Sequence, residues 1–277
     1  MEGIKLMKRS EDKNFSVNHA LFIKKNKREK ATVILLRFAI LIAFLGSWEL
    51  FAYLNIIDSF ITSSPSKIFI TLKDLFSENN LLYHIGVTLS ETLLGFLIAV
   101  FLGSAIALAL WWSERLRLVL EPYIIVLNSL PKIALGPIII VWCGSGSKAI
   151  VFMAVLIGII VAIMTMLNGF METDKNKILL LKSMGATKFQ ILTKLVIPGS
   201  IPSFISMMKI SVGMAWIGSI MGEYLVSKAG LGYLIVYGGQ VFKLNLVMAA
   251  TFVLCILAAL MYFAVSLLEK FLIKHRQ

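Results

Sequence analysis

The chain has 277 residues, 58% of them hydrophobic and 15% charged, with a mean hydropathy of +0.88. That composition excludes an ordinary soluble domain and places it among integral membrane proteins, with membrane lipid as its surroundings. The formal net charge of +12 comes from Lys and Arg blocks lying between apolar runs, which argues for membrane topology and against a nucleic-acid partner.

Taken in order, residues 1–31 form a basic tail with Lys24, Lys25, Lys27, Arg28 and Lys30 clustered before the first apolar run. The tail is expected to be mostly disordered and to fix orientation. The first apolar run is too long for a signal peptide and lacks an Ala-x-Ala site, so no removable leader is expected. About 20 apolar residues span a bilayer as helix. On that rule the sequence predicts an all-α membrane protein with six spans, near 32–54, 85–112, 118–142, 148–168, 201–222 and 246–268. Of the 27 Lys and Arg, most fall in the tail, Arg115 and Arg117, the loop after the fourth span, and the C-terminal tail. The positive-inside rule then puts both termini and that loop in the cytoplasm. The organisation predicted is a tail (1–31), a first span with an outer amphipathic segment (32–84), a core (85–268) and a short basic tail (269–277) with Lys274, His275 and Arg276.

Within the outer segment, Pro65-Ser66 followed by Lys67 to Phe76 reads as a surface helix opened by a serine cap. The second span carries Gly95, Ala99, Gly103 and Ala107 at strict four-residue spacing, which lets another helix approach closely, within the chain or across a dimer. Glu91 is expected to reach the outer interface. The third span holds Pro122, Pro131, Gly136 and Pro137, with Asn128, Ser129 and Lys132 among them. Freed backbone groups at membrane depth are tolerated only against protein or a water-filled cavity. A central lysine there is costly on a lipid-facing helix. This segment therefore reads as a wall facing a solute path. The fourth span is nearly featureless and is expected to pack in the bundle. In the fifth, Lys209 can snorkel to the cytoplasm, Trp216 is a second candidate for the path, and Glu223 with Gly230 to Tyr233 marks the outer turn.

Between the fourth and fifth spans, residues 170–202 form a polar insert bearing five lysines. Asp174 suits an N-cap, Ile178, Leu179, Leu181 and Met184 the apolar side of a short helix, and Gly185 the left-handed position that ends it. Thr187 with Gln190 is a capping box opening a second helix from Lys188 to Val196. Pro198 and Pro202 oppose its simple continuation. Two short helices meeting at a glycine form a shape suited to being gripped by another protein.

Reactive constellations are missing from the sequence. There is no phosphate loop of the G-x-x-x-x-G-K-[ST] type, and Gly144 to Lys148 has the wrong spacing. His19, His84 and His275 lie far apart, and Cys143 and Cys255 form no framework or metal pattern. No metal and no cofactor on this chain is expected, nor acid–base or nucleophilic catalysis.

Gly185, nine further residues and Leu195-Val196-Ile197-Pro198 resemble the "EAA---G---------I-LP" loop of ABC-transporter permeases. The family's Glu-Ala-Ala falls here on Leu179, Leu180 and Leu181, so docking would be through apolar contact. Leu130 to Pro137 with Trp142 to Gly146 resemble the nitrate, sulfonate and taurine branch, and the Ala215-Trp216, Glu223 and Gly230 to Ile235 run resembles the family's corresponding segment. The resemblance implies a permease fold with a cytoplasmic two-helix coupling loop, in a bacterial cytoplasmic (inner) membrane. It also implies a cytoplasmic ATPase dimer that uses ATP and Mg, an extracytoplasmic solute-binding protein and a second permease copy. The docking residues implied are Leu181, Met184, Gly185, Ala186, Thr187, Phe189, Leu195 and Pro198. Asn128, Ser129, Lys132 and Trp216 would line the path, and a lysine there suits an anionic solute. A secondary transporter or channel is the alternative, but it should show inverted repeats or intramembrane acidic relays.

Overall fold

The computed structural model describes residues 2–58, 62–77 and 80–273; Lys274, His275 and Arg276 lie outside them. The helices are α1 (Glu2–Tyr53), α2 (Pro65–Ser77), α3 (Asn80–Trp112), α4 (Glu114–Ser129), α5 (Gly136–Cys143), α6 (Ser147–Met171), α7 (Lys175–Ser183), α8 (Lys188–Ile191), α9 (Ile201–Val226), α10 (Leu231–Gln240) and α11 (Leu244–Ile273). Short 3-10, π and α turns at Lys132–Leu135, Leu192–Val196 and Ile197–Gly199 join some of them. Contacts divide the chain into a unit ending at Lys67 and a unit beginning at Ile68.

In the first unit α1 runs without a break through the basic tail, against the expected disorder. The tail holds no proline, and no glycine between Gly3 and Gly46, so nothing in it interrupts a helix. Before α2 the expected serine cap shifts by two residues. Ser64, not Ser66, accepts the Lys67 N–H, at 3.4 Å. Ser66 instead donates its hydroxyl and its backbone N–H to the Glu49 carboxylate, at 2.7 and 3.0 Å.

The second unit is built on α6. Helix α3 packs along one side of it, with Gly95 against Ala154, Ala99 against Gly158 and Gly103 against Ala162. The numbers rise together, so α3 and α6 run parallel. On another side α9 runs antiparallel, with Met214 near Gly158, Gly218 against Ala154 and Gly222 against Ile150. A methyl group at Gly103 would come within 2.6 Å of Ala162 Cβ, and one at Gly222 within 2.9 Å of the Ile150 backbone. Small residues at four-residue spacing on all three helices allow this approach, and in lipid such close packing replaces the hydrophobic drive. Ala107, fully buried, continues the α3 stripe into the main core with Val196, Met207, Ala215 and Trp216.

Among the described residues, five helices are long and apolar enough to cross a membrane: the Lys24–Tyr53 part of α1, then α3, α6, α9 and α11. The expected third span is not a single rod. α4 and the Lys132–Cys143 segment are bent by 86° at the break around Pro131. Because α3 and α6 are parallel, this broken pair must return the chain from one end of the bundle to the other. It counts as a sixth crossing. Pro131 removes a helical N–H and restricts Leu130 to the extended backbone seen there, which is why the rod breaks at that point.

Candidate functional site

The insert between α6 and α9 folds as its local signals predict. The Asp174 carboxylate accepts the Asn176 N–H at 2.8 Å and opens α7. Gly185 has φ +82°, the left-handed conformation that ends it. Thr187 and Gln190 exchange both capping-box hydrogen bonds at the start of α8. The second helix does not stop before the prolines. A π turn at Leu192–Val196 widens it, with Ile197 N–H reaching Leu192 O, and the chain passes through Pro198 into α9. An extra residue in one turn absorbs the missing proline donor and its ring, so proline does not end the helix here.

The loop has two faces. Ile178, Leu181, Ala186 and Leu195 pack against the main core, beside buried Ile191, Leu192 and Val196. Leu179, Leu180, Met184 and Phe189 point away and are 66, 60, 74 and 64% exposed. Leu181, Ala186 and Leu195, expected as docking residues, therefore hold the loop to the bundle. Leu179 and Leu180 join Met184 and Phe189 on the open face. Spacing alone could not say which side of α7 the core would take. A methyl group added at Gly185 would meet nothing within 4 Å, so a larger residue there meets backbone strain and not a steric block.

Three of the path candidates lie together at the break, and Trp216 lies in the core. Asn128 and Ser129 are exposed on α4, and Lys132, half-buried at the break, donates from Nζ to Asn128 O at 3.2 Å. Trp216 lies in the core, 6% exposed, its Nε1 buried with no hydrogen-bond partner among the described residues.

At the bundle end opposite the loop, sequence reasoning missed a polar cluster. Glu91 is shielded from solvent. It is 3% exposed, and Glu223 is 1% exposed, near enough for their charges to interact. Glu223 accepts the Gly232 N–H at 2.6 Å, and Thr88 accepts the Leu231 N–H at 2.7 Å. His84 Nδ1 accepts the Gly230 N–H at 2.9 Å. Thr92 and Ser219 share a hydrogen bond at 2.6 Å between α3 and α9. Gly230, at φ +112°, lies directly on the Glu223 carboxylate, where no side chain fits. These groups satisfy the free N–H groups at the start of α10 and tie it to α3 and α9. Among the described residues no group of three or more His, Cys, Asp or Glu could hold a metal ion.

Residues 84–276 match the family described as the binding-protein-dependent transport system inner membrane component. The chain belongs to that family. Its relatives include a formylaminopyrimidine transport permease protein of Halalkalibacterium halodurans, 31% identical over 230 residues, covering 83% of this chain and 91% of that one. A putative aliphatic sulfonates transport permease protein of Bacillus subtilis is 26% identical over 229 residues, covering 83% of each chain. The taurine transport system permease protein of Escherichia coli is 24% identical over 228 residues, covering 80% and 83%. The fold matches that of a methionine ABC transporter solved in inward-facing conformations, with a TM-score of 0.64 at 19% identity, covering 71% of this chain and 97% of that chain. The permease is thus a multi-pass membrane protein of the branch expected from its sequence.

One further feature of the permease adds to the sequence reading. Lys209 does not snorkel alone. Its Nζ lies 2.6 Å from Glu269 Oε2 on α11 and 6.0 Å from the centre of the Tyr262 ring. The pair is partly shielded, with side chains 22 and 34% exposed. Lys209→Met should lower the thermal midpoint in detergent by stranding the partly shielded Glu269 carboxylate. Lys209→Met with Glu269→Leu should recover most of that loss, because no lone charge remains. A double-mutant cycle that shows strict additivity would sink this account.

Proposed function

We propose that this permease forms one half of the membrane path of an ATP-driven importer for a small anionic solute of the sulfonate type. The observation that carries the reading is the open apolar face of Leu179, Leu180, Met184 and Phe189, set on a loop whose caps and glycine hold it rigid. A cytoplasmic ATPase dimer docks on that face and uses ATP and Mg; the chain itself carries neither. The loop end and both termini then lie in the cytoplasm, as the charge asymmetry requires. A solute-binding protein delivers substrate to the opposite end, and a second permease copy closes the path. The wall of that path is the broken crossing, where Asn128, Ser129 and Lys132 sit at freed backbone.

The test is reconstitution of the permease with its ATPase and binding protein in liposomes, followed by ATP-dependent uptake of an alkanesulfonate. Uptake that needs all three supports the reading. Uptake by the permease alone, driven by an ion gradient, replaces it with a secondary transporter. In the complete system, Lys132→Gln should lower uptake at least tenfold, roughly the 1.4 kcal/mol of one lost charge-assisted contact, with ATPase retention unchanged. Unchanged uptake removes Lys132 from the path.

A further inference from the structure

α8 begins at Lys188, whose side chain leaves the loop altogether. Its ammonium lies 5.3 Å from the centre of the Trp112 ring and 5.8 Å from that of Trp111, and it donates a hydrogen bond to the Trp112 carbonyl. Trp112 is the last residue of α3. Its carbonyl is one of those a helix end leaves without an internal partner, and a cation is favoured there by the helix dipole. Two indole faces add cation–π attraction. Trp111 in turn packs against the main core. All five loop lysines are exposed, but Lys175, Lys177, Lys182 and Lys194 lie over no ring among the described residues.

Phe189, the next residue, does not share that contact and is exposed on the open face. A single helical turn therefore touches both the docking face and the end of α3. We infer that Lys188 is the positioning residue that carries movement of the docking loop into α3. A displacement of Phe189 by a bound partner shifts the Lys188 ammonium, which is fastened to α3. The close packing of α3 on α6 passes the shift into the bundle. The inference rests on the proposed ATPase docking, and goes beyond it by naming the residue through which the docked subunit would act.

The test uses the full permease with its ATPase in lipid nanodiscs. Two readouts are taken: the amount of ATPase retained, and hydrogen exchange over residues 104–112 with and without ATP plus vanadate. In the wild type, nucleotide should change exchange at this end of α3. Lys188→Met should retain the ATPase at wild-type yield and lose that change. Lys188→Arg should restore it, because a guanidinium also stacks on indole and donates to the carbonyl. If Lys188→Met keeps the nucleotide response, or if it loses the ATPase itself, the inference is overturned. A wild-type chain that retains no ATPase defeats instead the docking reading beneath it.

Discussion

Gly218→Val is expected to prevent accumulation of folded permease, while Gly213→Val on the same helix leaves it unchanged. A methyl at 218 would overlap Ala154 Cα and come within 3.0 Å of Ala154 N and Met153 O. Those are backbone atoms of α6, and Ala154 itself is fully buried. A flexible neighbour could move aside; a helix backbone packed on its other side by Gly95 cannot. Overpacking of this kind costs about 1–3 kcal/mol and more where a backbone must move, a sizeable share of the roughly 5–15 kcal/mol that holds a domain together. Gly213 is exposed, with nothing within 4 Å, so valine there has room. Thermal unfolding followed by size exclusion in detergent reads both variants. Equal midpoints for the two would mean that α9 does not seat on α6 as described.

Leu180→Glu is expected to weaken retention of the ATPase about thirtyfold, the effect of removing a contact worth roughly 2 kcal/mol at the centre of an interface. Phe189→Ala should act in the same direction. Both side chains are mostly exposed in the isolated permease, so neither change should move its thermal midpoint. Leu181→Ala is the contrasting case. Leu181 packs against the core, so its truncation should lower stability and leave affinity nearly intact once the protein is folded. Binding titrations on the purified permease separate the outcomes. Weakening by Leu181→Ala alone would place the interface on the other side of α7.

The loop is legible in the sequence because its signals are local. Asp174, Gly185 and the Thr187–Gln190 box each act on backbone groups within three residues, so cause and effect stand side by side in the chain. The faces of α7 are not legible, since Leu179, Leu180 and Leu181 are the same residue and only the tertiary core separates them. The π turn escapes because the rule for proline assumes a regular helix, and one widened turn removes that premise. The small-residue stripe on α3 is visible, and its match on α6, Ala154, Gly158 and Ala162, carries the same spacing inside a span that otherwise reads as featureless. Isolated charges mislead most. Lys209 and Glu269 lie on different helices, and Glu223 needs the turn before α10 in place to be buried.

The contact between α3 and α6 alternates, glycine facing alanine and then alanine facing glycine. A seam of that kind works like a key in a lock with one notch pattern. Sliding it by one helical turn would bring Ala99 against Ala162, methyl on methyl, so no second engaged setting exists nearby. Long side chains could change rotamer and let the surfaces creep; these residues have none to change. In the proposed importer the two helices would therefore travel as one piece, and the opening and closing of the path would fall to the crossing that Pro131 has already broken.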